Sequence, residues 1–370
     1  MKVTCNRALL TTAFQTVAGV VPTRTTKPVL QNVKFSAAAE GAVLMGTDQE
    51  VGVRVKIGEA DVQEPGELLL PTARTLAILR EIQGEAVRLE SGHEEIWLRG
   101  DRAEYRLAYV DPAEFPDVSE FTATSFYTVP TALLKQLIRR TLFATDIEST
   151  RYALGGVLVD IRDDGLVLAA TDTRRLAVAR GQCAATGDVK IDNAWPVVPQ
   201  KAMSLIERSL ADSADPVCLA LRNNDVLVKS GGTTIYARLL EGRFPRYQDV
   251  IPRDCQVRID LIAASFHAAV RQAQIVTSDE SRGVDFSFAP GLLTLLSQDV
   301  KIGQSRVELP ISYDGAPIAI TFDPRYVSDF LKVLDAEQQV ILELTDPESA
   351  AVLRTDDGYT YIIMPLSKDR

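Results

Sequence analysis

The chain carries the same pattern three times, and this repetition constrains its fold more than any other feature. Residues 32–55 (NVKFSAAAEGAVLMGTDQEVGVRV) and 156–179 (GVLVDIRDDGLVLAATDTRRLAVA) both predict a strand, a turn, a second strand, a small residue before Thr-Asp, and a further alternating strand. A weaker copy lies at 283–309, with Ser-Gln-Asp in place of the small-Thr-Asp triplet. The copies begin about 125 residues apart. Self-similarity at a fixed spacing indicates a chain built from repeated domains.

The segments around each copy also repeat in a fixed order. An apolar-periodic helix precedes each copy, a strand that turns through proline into a second helix follows it, and a long hairpin closes the unit. The segments 114–118 (EFPDV) and 243–250 (RFPRYQDV) mark the ends of the first two units. We therefore predict three copies of one α+β domain, each with two helices packed on an antiparallel sheet of about eight strands. The predicted limits are 1–125, 126–253 and 254–370. Where the junction, or seam, between two such domains is short, the sheet of one domain can continue into the next.

Charge is unevenly distributed along this acidic chain. The 50 acidic and 40 basic side chains give a net charge of −10, which by itself argues against nucleic-acid binding. The first helix of each unit nevertheless has basic residues and no acids: Arg7 in the first, Lys135 and Arg139 in the second, His267 and Arg271 in the third. Residues four apart on a helix share a face. Three equivalent basic helices favour a positive surface inside an acidic body, and ordinary solvated helix faces are the alternative.

The sequence offers little for catalysis, metal binding or membrane insertion. Its 4 cysteines lack CxxC spacing, which predicts reduced thiols in a cytoplasmic protein, and neither His93 nor His267 belongs to a metal-binding motif. Asp48 and Asp172 recur at matching repeat positions and are predicted to cap turns. No apolar run approaches the roughly 20 residues of a membrane span, and no signal peptide is predicted. We therefore predict no catalytic residue, no metal site and no cofactor.

Eight short motifs, which occur in order along nearly the whole chain, resemble the bacterial sliding clamp family, the beta subunit of DNA polymerase III. They are TRTTKPVLQNV (23–33), GTDQE (46–50), EFP (114–116), TRYALGGV (150–157), ATDTRRLAV (170–178), EGRFPRYQDVIP (241–252), RGV (282–284) and YIIMPL (361–366). The resemblance implies a head-to-tail homodimer of three-domain subunits, which forms a six-domain ring around duplex DNA. Such a ring performs no chemical step. It tethers its partners by topology, so that the local concentration of polymerase stays high.

The resemblance also implies three sets of site residues. It places Tyr105 and Leu107 on one side of the dimer contact, and Ile275 and Val276 on the other. Candidate contacts to DNA phosphates are Arg24, Lys27, Arg74, Lys135, Arg139, Lys201 and Arg271. A pocket for short linear peptides of partner proteins is expected to be lined by Leu154, Thr171, Thr173, Arg174, Arg175, Leu176, Pro245, Val250, Ile362, Met364, Pro365 and Leu366.

The implied partners are double-stranded DNA of any sequence, a second copy of the chain, the alpha subunit of DNA polymerase III, the clamp loader and other proteins with a clamp-binding motif. No membrane partner is expected, and the implied location is the cytoplasm, in association with the nucleoid. Glu148 stands where the family can place a polar residue that touches DNA. Three further departures from the common family pattern are Thr173-Arg174 in place of Gly-His, Asp249 and the tail Ser367–Arg370. They keep open an alternative, a clamp paralogue with altered partner specificity. A monomeric DNA-binding regulator is disfavoured because no helix-turn-helix pattern is present.

Overall fold

The computed structural model describes residues 1–92, 94–162, 165–189, 195–210, 215–252, 255–278 and 282–366. The chain forms two compact units, one containing Met1–Lys135 and Cys183–Leu239, the other Gln136–Gln182 and Leu240–Arg370. His93, the predicted domain seam at residues 253 and 254, and the tail Ser367–Arg370 lie outside the described residues. Among the helices that are described, none is both long enough and apolar enough to cross a membrane.

Each predicted repeat contains two helices and eight or nine strands within the described residues. The first consists of β1 (Lys2–Asn6), α1 (Arg7–Ala18), β2 (Asn32–Ala38), β3 (Gly41–Thr47), β4 (Val51–Ile57), β5 (Ala60–Glu64), β6 (Gly66–Pro71), α2 (Thr72–Glu81), β7 (Ala86–Ser91), β8 (Glu95–Arg99) and β9 (Glu104–Ala108). The second consists of β10 (Phe126–Val129), α3 (Thr131–Leu142), β11 (Gly156–Arg162), β12 (Gly165–Thr171), β13 (Arg175–Gln182), β14 (Ala184–Thr186), β15 (Val197–Pro199), α4 (Gln200–Ser209), β16 (Val217–Leu221), β17 (Asp225–Ser230) and β18 (Thr233–Arg238). The third consists of β19 (Val257–Ile262), α5 (Ala263–Ala273), β20 (Val284–Ala289), β21 (Leu292–Asp299), β22 (Gly303–Pro310), β23 (Ile318–Phe322), α6 (Pro324–Leu331), β24 (Gln339–Leu344), β25 (Ala351–Arg354) and β26 (Thr360–Ile363).

Local capping and apolar spacing explain the first helix. Asn6 immediately precedes α1, and its side-chain oxygen accepts hydrogen bonds from the backbone N–H groups of Ala8 and Leu9 at 3.0 and 3.2 Å. These bonds satisfy donors that have no partner inside the helix. Phe14 and Val17 are fully buried and lie three residues apart, so that one stripe of the helix faces the core. The helix predicted from the pattern NRALLTTAF is therefore confirmed.

In the first compact unit, which contains Met1–Lys135 and Cys183–Leu239, one sheet includes strands from both repeat one and repeat two. Its nine strands have the order β14-β10-β16-β17-β18-β4-β3-β2-β6, and β18 pairs antiparallel with β4, which places Tyr236 opposite Gly52. Helix α1 packs on β4, and α4 packs on β18. A separate five-stranded sheet has the order β5-β1-β7-β8-β9. The predicted continuation of one sheet across the first seam, the junction of repeats one and two, is therefore confirmed.

The second unit repeats this arrangement at the second seam, the junction of repeats two and three. One sheet contains the run β11-β12-β13-β26-β25-β24-β19, and β13 pairs antiparallel with β26, which places Leu176 opposite Ile362. A four-stranded sheet has the order β22-β21-β20-β23. The motif YIIMPL therefore begins inside a central strand and leaves the sheet only at Met364.

An aspartate caps the equivalent turn in each repeat. Asp48 Oδ1 accepts hydrogen bonds from the backbone N–H groups two and three residues later, at 3.0 and 2.7 Å. Asp172 does the same at 3.0 and 3.0 Å, and Asp299 does so at 2.8 and 3.0 Å. The predicted capping role of Asp48 and Asp172 is confirmed. The turns hold Gln49 and Thr173 at positive φ, 80° and 76°, a region that β-branched residues such as threonine rarely occupy.

An ion pair between a buried arginine and an exposed aspartate joins α3 to the turn between β25 and β26. The Arg140 Nη2 atom lies 2.7 Å from Asp357 Oδ2, and 4% of the arginine side chain is exposed against 38% of the aspartate. The guanidinium lies 5.0 Å from the centre of the Tyr359 ring, whose hydroxyl donates to the Arg140 carbonyl at 2.6 Å. Burial raises the pKa of Asp357, but hydrogen bonds from Arg140 and Thr355 outweigh it, so the pKa is lower than usual.

We expect the substitution Asp357→Asn to lower the free energy of unfolding by about 1–2 kcal/mol at neutral pH, because the buried guanidinium loses its charged partner. A carboxyl with a lowered pKa stabilises the fold above its unfolded pKa of about 3.9, and this stabilisation is lost as the pH falls through the folded pKa. Urea unfolding at neutral pH and near pH 3 measures the effect. The difference from wild type should shrink in acid, and Asp356→Asn, at the adjacent exposed position, is the control. An equal difference at both pH values would contradict the ion-pair origin.

Candidate functional site

The second seam holds an apolar cavity of about 260 Å³ where β13 meets β26. The Met364 N–H donates to the Arg174 carbonyl at 2.8 Å, so the backbone pairing of the two strands extends one residue beyond β26. The cavity is lined by Arg151, Thr171, Thr173, Arg174, Arg175, Leu176, Pro245, Tyr247, Val250, Ile362 and Met364. All of these except Arg151 and Tyr247 belong to the predicted peptide pocket. The structure therefore brings together residues from motifs that are far apart in sequence.

The cavity has a buried floor and an exposed apolar rim. Leu176, Ile362 and Tyr247 are almost fully buried, whereas Val250 is 58% exposed and Met364 46% exposed. Burial and the nearby Asp160 raise the pKa of Tyr247, so its phenol stays neutral. A floor of fixed apolar side chains with an adaptable thioether at its rim suits the apolar side chains of an extended peptide.

Arg175 supports the cavity, and each nitrogen of its guanidinium is engaged within the fold. Its Nε lies 2.9 Å from Asp172 Oδ2, its Nη1 lies 2.7 Å from Asp329 Oδ2, and its Nη2 donates to the Phe143 carbonyl at 2.8 Å. The guanidinium lies 4.5 Å from the centre of the Tyr326 ring. Because two carboxylates already pair with its guanidinium, Arg175 connects β13 to α6, which carries Asp329, and its charge is compensated within the fold.

Three residues of the predicted pocket lie outside this lining. Leu154 is buried and lines a neighbouring cavity. Pro365 and Leu366 follow Met364, but the Leu366 N–H donates to the Thr321 carbonyl at 2.9 Å. The Leu366 side chain lies beside Gly283, close to the sheet that contains β20 and β23. The chain therefore turns away from the cavity after Met364.

The equivalent place at the first seam is filled by the chain itself. Since β18 pairs with β4 as β26 pairs with β13, Gly52 takes the place of Leu176. Val118 packs directly on this glycine, because a Cβ atom there would lie 2.7 Å from Val118 Cγ1. Val118 is 5% exposed, and Tyr247, which stands at the same place in the segment RFPRY, is 2% exposed. One strand arrangement is thus built twice, and at the second seam it borders an open cavity whose rim includes the exposed Val250 and Met364.

Sequence reasoning missed Arg151 and Tyr247. Both lie inside quoted motifs, TRYALGGV and EGRFPRYQDVIP, so their proximity to the site was available from the resemblance. The Tyr247 ring packs edge-on against Phe244, with ring centres 6.5 Å apart. An aromatic residue two positions after a Phe-Pro pair was the signal that could have identified Tyr247.

Of the candidate phosphate contacts in repeats one and two, Arg24 is exposed and Lys27 donates to the Gln49 side chain at 3.1 Å. Lys201 forms an ion pair with Asp48, the turn-capping aspartate, and donates to the Val20 carbonyl at 3.1 Å. The positive charge of Lys201 is therefore already compensated within the fold. A DNA phosphate would have to compete with Asp48 for it.

The remaining candidates lie on helices. Arg74 on α2, Arg139 on α3 and Arg271 on α5 are exposed, and Lys135 on α3 is partly buried. Burial, Arg271 and Lys332 lower the pKa of His267, and its Nε2 lies 3.0 Å from the Ser328 hydroxyl. At neutral pH the positive charge of that face of α5 is therefore carried by Arg271 and not by His267.

The predicted dimer residues lie on the last strand of one sheet and in a turn that packs on another sheet. Tyr105 and Leu107 are two residues apart on β9, the last strand of the five-stranded sheet, and both are partly buried. Ile275 is 74% exposed and belongs, with Val276, to a short 3-10 turn in contact with β22. Strand β22 is the last strand of the four-stranded sheet. Val300 and Ile302, in the turn before β22, add further exposed apolar side chains to the segment that leads into this strand.

Three repeats whose sheets continue across the seams, together with an apolar pocket at the second seam, are the fold and site of the clamp class of binding proteins. Comparison with known proteins gives the family. The N-terminal, central and C-terminal domains of the DNA polymerase III beta subunit match residues 1–119, 128–246 and 248–367. The chain belongs to this family, whose members are the sliding clamps, the non-catalytic processivity factors of replication.

Individual relatives agree along their full length. The beta sliding clamp of Caulobacter vibrioides is 30% identical over 375 residues, covering 99% of this chain and all of the relative, and that of Pseudomonas putida is 28% identical over 370 residues, with the same coverage. The crystal structure of the Bacillus subtilis sliding clamp matches with a TM-score of 0.92 at 26% identity, and covers both chains completely. A Pseudomonas aeruginosa clamp bound to griselimycin matches with a TM-score of 0.92 at 27% identity, again over both whole chains. These matches give no support to the alternative of a paralogue with altered partners.

Proposed function

We propose that two copies of the chain close head to tail into a ring around duplex DNA, and that this ring tethers the polymerase III alpha subunit, the clamp loader and other clamp-binding proteins. The ring acts in the cytoplasm, in association with the nucleoid. The observation that carries the proposal is the match of all three domains, along the whole chain, to a family of sliding clamps. The function is topological, because a partner that releases DNA stays close to it while bound to the ring.

The two sheet edges support ring closure. Strand β9 of one copy and strand β22 of the other stand at the ends of their sheets, where a strand can pair with another chain. Tyr105 and Leu107 would face Ile275 and Val276, so that apolar packing accompanies the strand pairing. Such a head-to-tail contact uses two different surfaces, and two copies related by a two-fold axis make it twice and close the ring.

DNA contact is proposed to be sparse and directed at phosphates. Exposed arginines such as Arg24, Arg74 and Arg271 can exchange between phosphates without reading bases. Lys201 would contribute only by exchanging Asp48 for a phosphate. A net charge of −10 keeps the rest of the protein from binding DNA firmly, which suits a ring that must slide.

The test separates topological from ordinary binding. The protein is loaded on nicked circular DNA with its clamp loader and ATP, and the DNA is then cut once with a restriction enzyme. We expect the protein to remain on the circle during gel filtration in moderate salt and to leave the linear product. As a control, blocking both ends of the linear DNA with bulky proteins should restore retention. Equal retention on circular and open linear DNA would exclude a sliding ring.

The apolar cavity at the second seam is proposed to receive the partner peptides. It is preformed, and its rim residues are exposed, so that a short segment can enter without unfolding any element. A few apolar anchors of this kind give moderate affinity, which allows different partners to exchange on one ring.

A further inference from the structure

We propose that a basic cavity next to the peptide pocket binds a carboxylate of the partner peptide, so that the protein selects partners with acidic residues beside their apolar anchors. The inference rests on the proposed peptide-binding function. The second cavity has a volume of about 470 Å³, and its lining includes three arginines, Arg151, Arg243 and Arg246, together with Leu154, Phe244 and Pro245. Among the described residues that line it, none is acidic.

The two cavities are adjacent and share two lining residues. Arg151 and Pro245 line both of them. A peptide whose apolar side chains occupy the first cavity can therefore reach the second with its neighbouring residues, because successive residues of an extended chain advance by about 3.3 Å. A guanidinium binds a carboxylate through two parallel hydrogen bonds, and this geometry gives the arginines a preference for acidic side chains over neutral polar ones.

A buried side chain and hydrogen bonds to the backbone fix the two segments that carry the arginines. Phe244 is fully buried, and the Tyr247 N–H donates to the Pro245 carbonyl at 2.8 Å, which fixes the backbone on both sides of Arg246. On the other wall, the Arg151 N–H donates to the Ser149 hydroxyl at 3.1 Å, and the Arg151 carbonyl accepts from the Leu154 N–H at 2.9 Å. The side chains of Arg151, Arg243 and Arg246 lie on the exposed side of these anchored segments.

The repeat shows that the fold does not require these arginines. The segment EFPDV in the first repeat corresponds to RFPRY in the second, so that Glu114 and Asp117 stand where Arg243 and Arg246 stand. The buried phenylalanine between them is retained in both segments. The charge is therefore reversed between the seam that the chain fills itself and the seam that remains open. A positive charge confined to the open site favours an acidic occupant.

The test uses two labelled synthetic peptides with the same pair of large apolar residues, flanked by three glutamates in one and three glutamines in the other. Fluorescence anisotropy at low salt should give about fivefold tighter binding for the glutamate peptide, and the preference should fade at high salt. The preference should disappear in Arg246→Asp, a substitution that reproduces the first repeat at Asp117. It should persist in Arg258→Asp, which makes the same charge change at an exposed arginine on β19.

The outcomes separate this inference from the proposed function. Equal affinity of the wild-type protein for both peptides, with the apolar anchors still required, would overturn the acidic selection and leave the pocket assignment intact. Failure of both peptides to bind would contradict the pocket and the inference together. Each peptide is also tested with a free and an amidated C-terminus. A preference for the glutamate peptide that survives amidation assigns the cavity to acidic side chains, whereas an equal loss of affinity of both peptides on amidation, without a glutamate preference, assigns it to a terminal carboxylate and overturns the acidic selection.

Discussion

Replacing Val250 and Met364 together by arginine is expected to weaken binding of a polymerase-derived peptide by about 100-fold. The two side chains form the exposed apolar rim of the cavity, and each apolar anchor of a peptide contributes on the order of 1–2 kcal/mol when it leaves water. Two guanidinium groups at the rim would force a charge against those anchors, or block entry. Because both positions are largely exposed, the substitutions should leave the free energy of unfolding nearly unchanged.

Anisotropy with a labelled peptide measures this effect, and urea unfolding checks the fold. The matched control is Ile275→Arg, which places the same side chain at an exposed apolar position that lines neither cavity. Peptide affinity should be the same in this control and in the wild type. An unchanged affinity in the Val250 and Met364 variant would remove the peptide pocket from this seam.

Ile275→Arg is expected to open the ring. Ile275 is 74% exposed in the single chain, so the substitution costs the fold little, yet in the proposed dimer it buries an unpaired charge against Tyr105 and Leu107. Disrupting a central apolar side chain of an interface typically costs about 2 kcal/mol or more, and the substitution acts on both interfaces of the ring at once. We expect the dimer dissociation constant to rise by about 100-fold or more.

Sedimentation velocity at micromolar concentration should then show a dimer for the wild type and mainly a monomer for Ile275→Arg. Retention on nicked circular DNA should disappear in parallel. The variant with arginine at 250 and 364 is the reciprocal control, since its dimer and its retention on DNA should be intact. A dimeric Ile275→Arg protein would show that this edge takes no part in ring closure.

The sequence by itself determined the architecture, because the signals that carry it are local and occur three times. Apolar spacing defines each first helix, and a cap such as Asn6 fixes the start of α1. The aspartate after the second strand of each copy bonds to its own next residues, so Asp48 and Asp172 could be identified as turn caps without any tertiary information. A signal that depends on neighbours in sequence can be read from the sequence.

The resemblance supplied most of the pocket, and the structure changed its limits. The strand pairing of β13 with β26 brings residues near 175 and 362 together, as expected for a sheet that crosses the seam. The position of Leu366 was not predictable, because it depends on one backbone hydrogen bond to Thr321, a residue of another sheet. The contributions of Arg151 and Tyr247 likewise depend on how two separate loops approach the same cavity.

Tertiary structure alone decided which charges and which seam are available to a ligand. Lys201 and Arg175 have the same formal charge as Arg24, but Asp48, Asp172 and Asp329 neutralise them, in two of the three pairs across long sequence distances. The two seams have similar strand patterns, yet Val118 packs on Gly52 at the first, whereas Leu176 lines an open cavity at the second. The cause is steric: a glycine lets the chain's own valine approach the strand closely, whereas the leucine at the matching position occupies that space itself and forms part of the cavity floor.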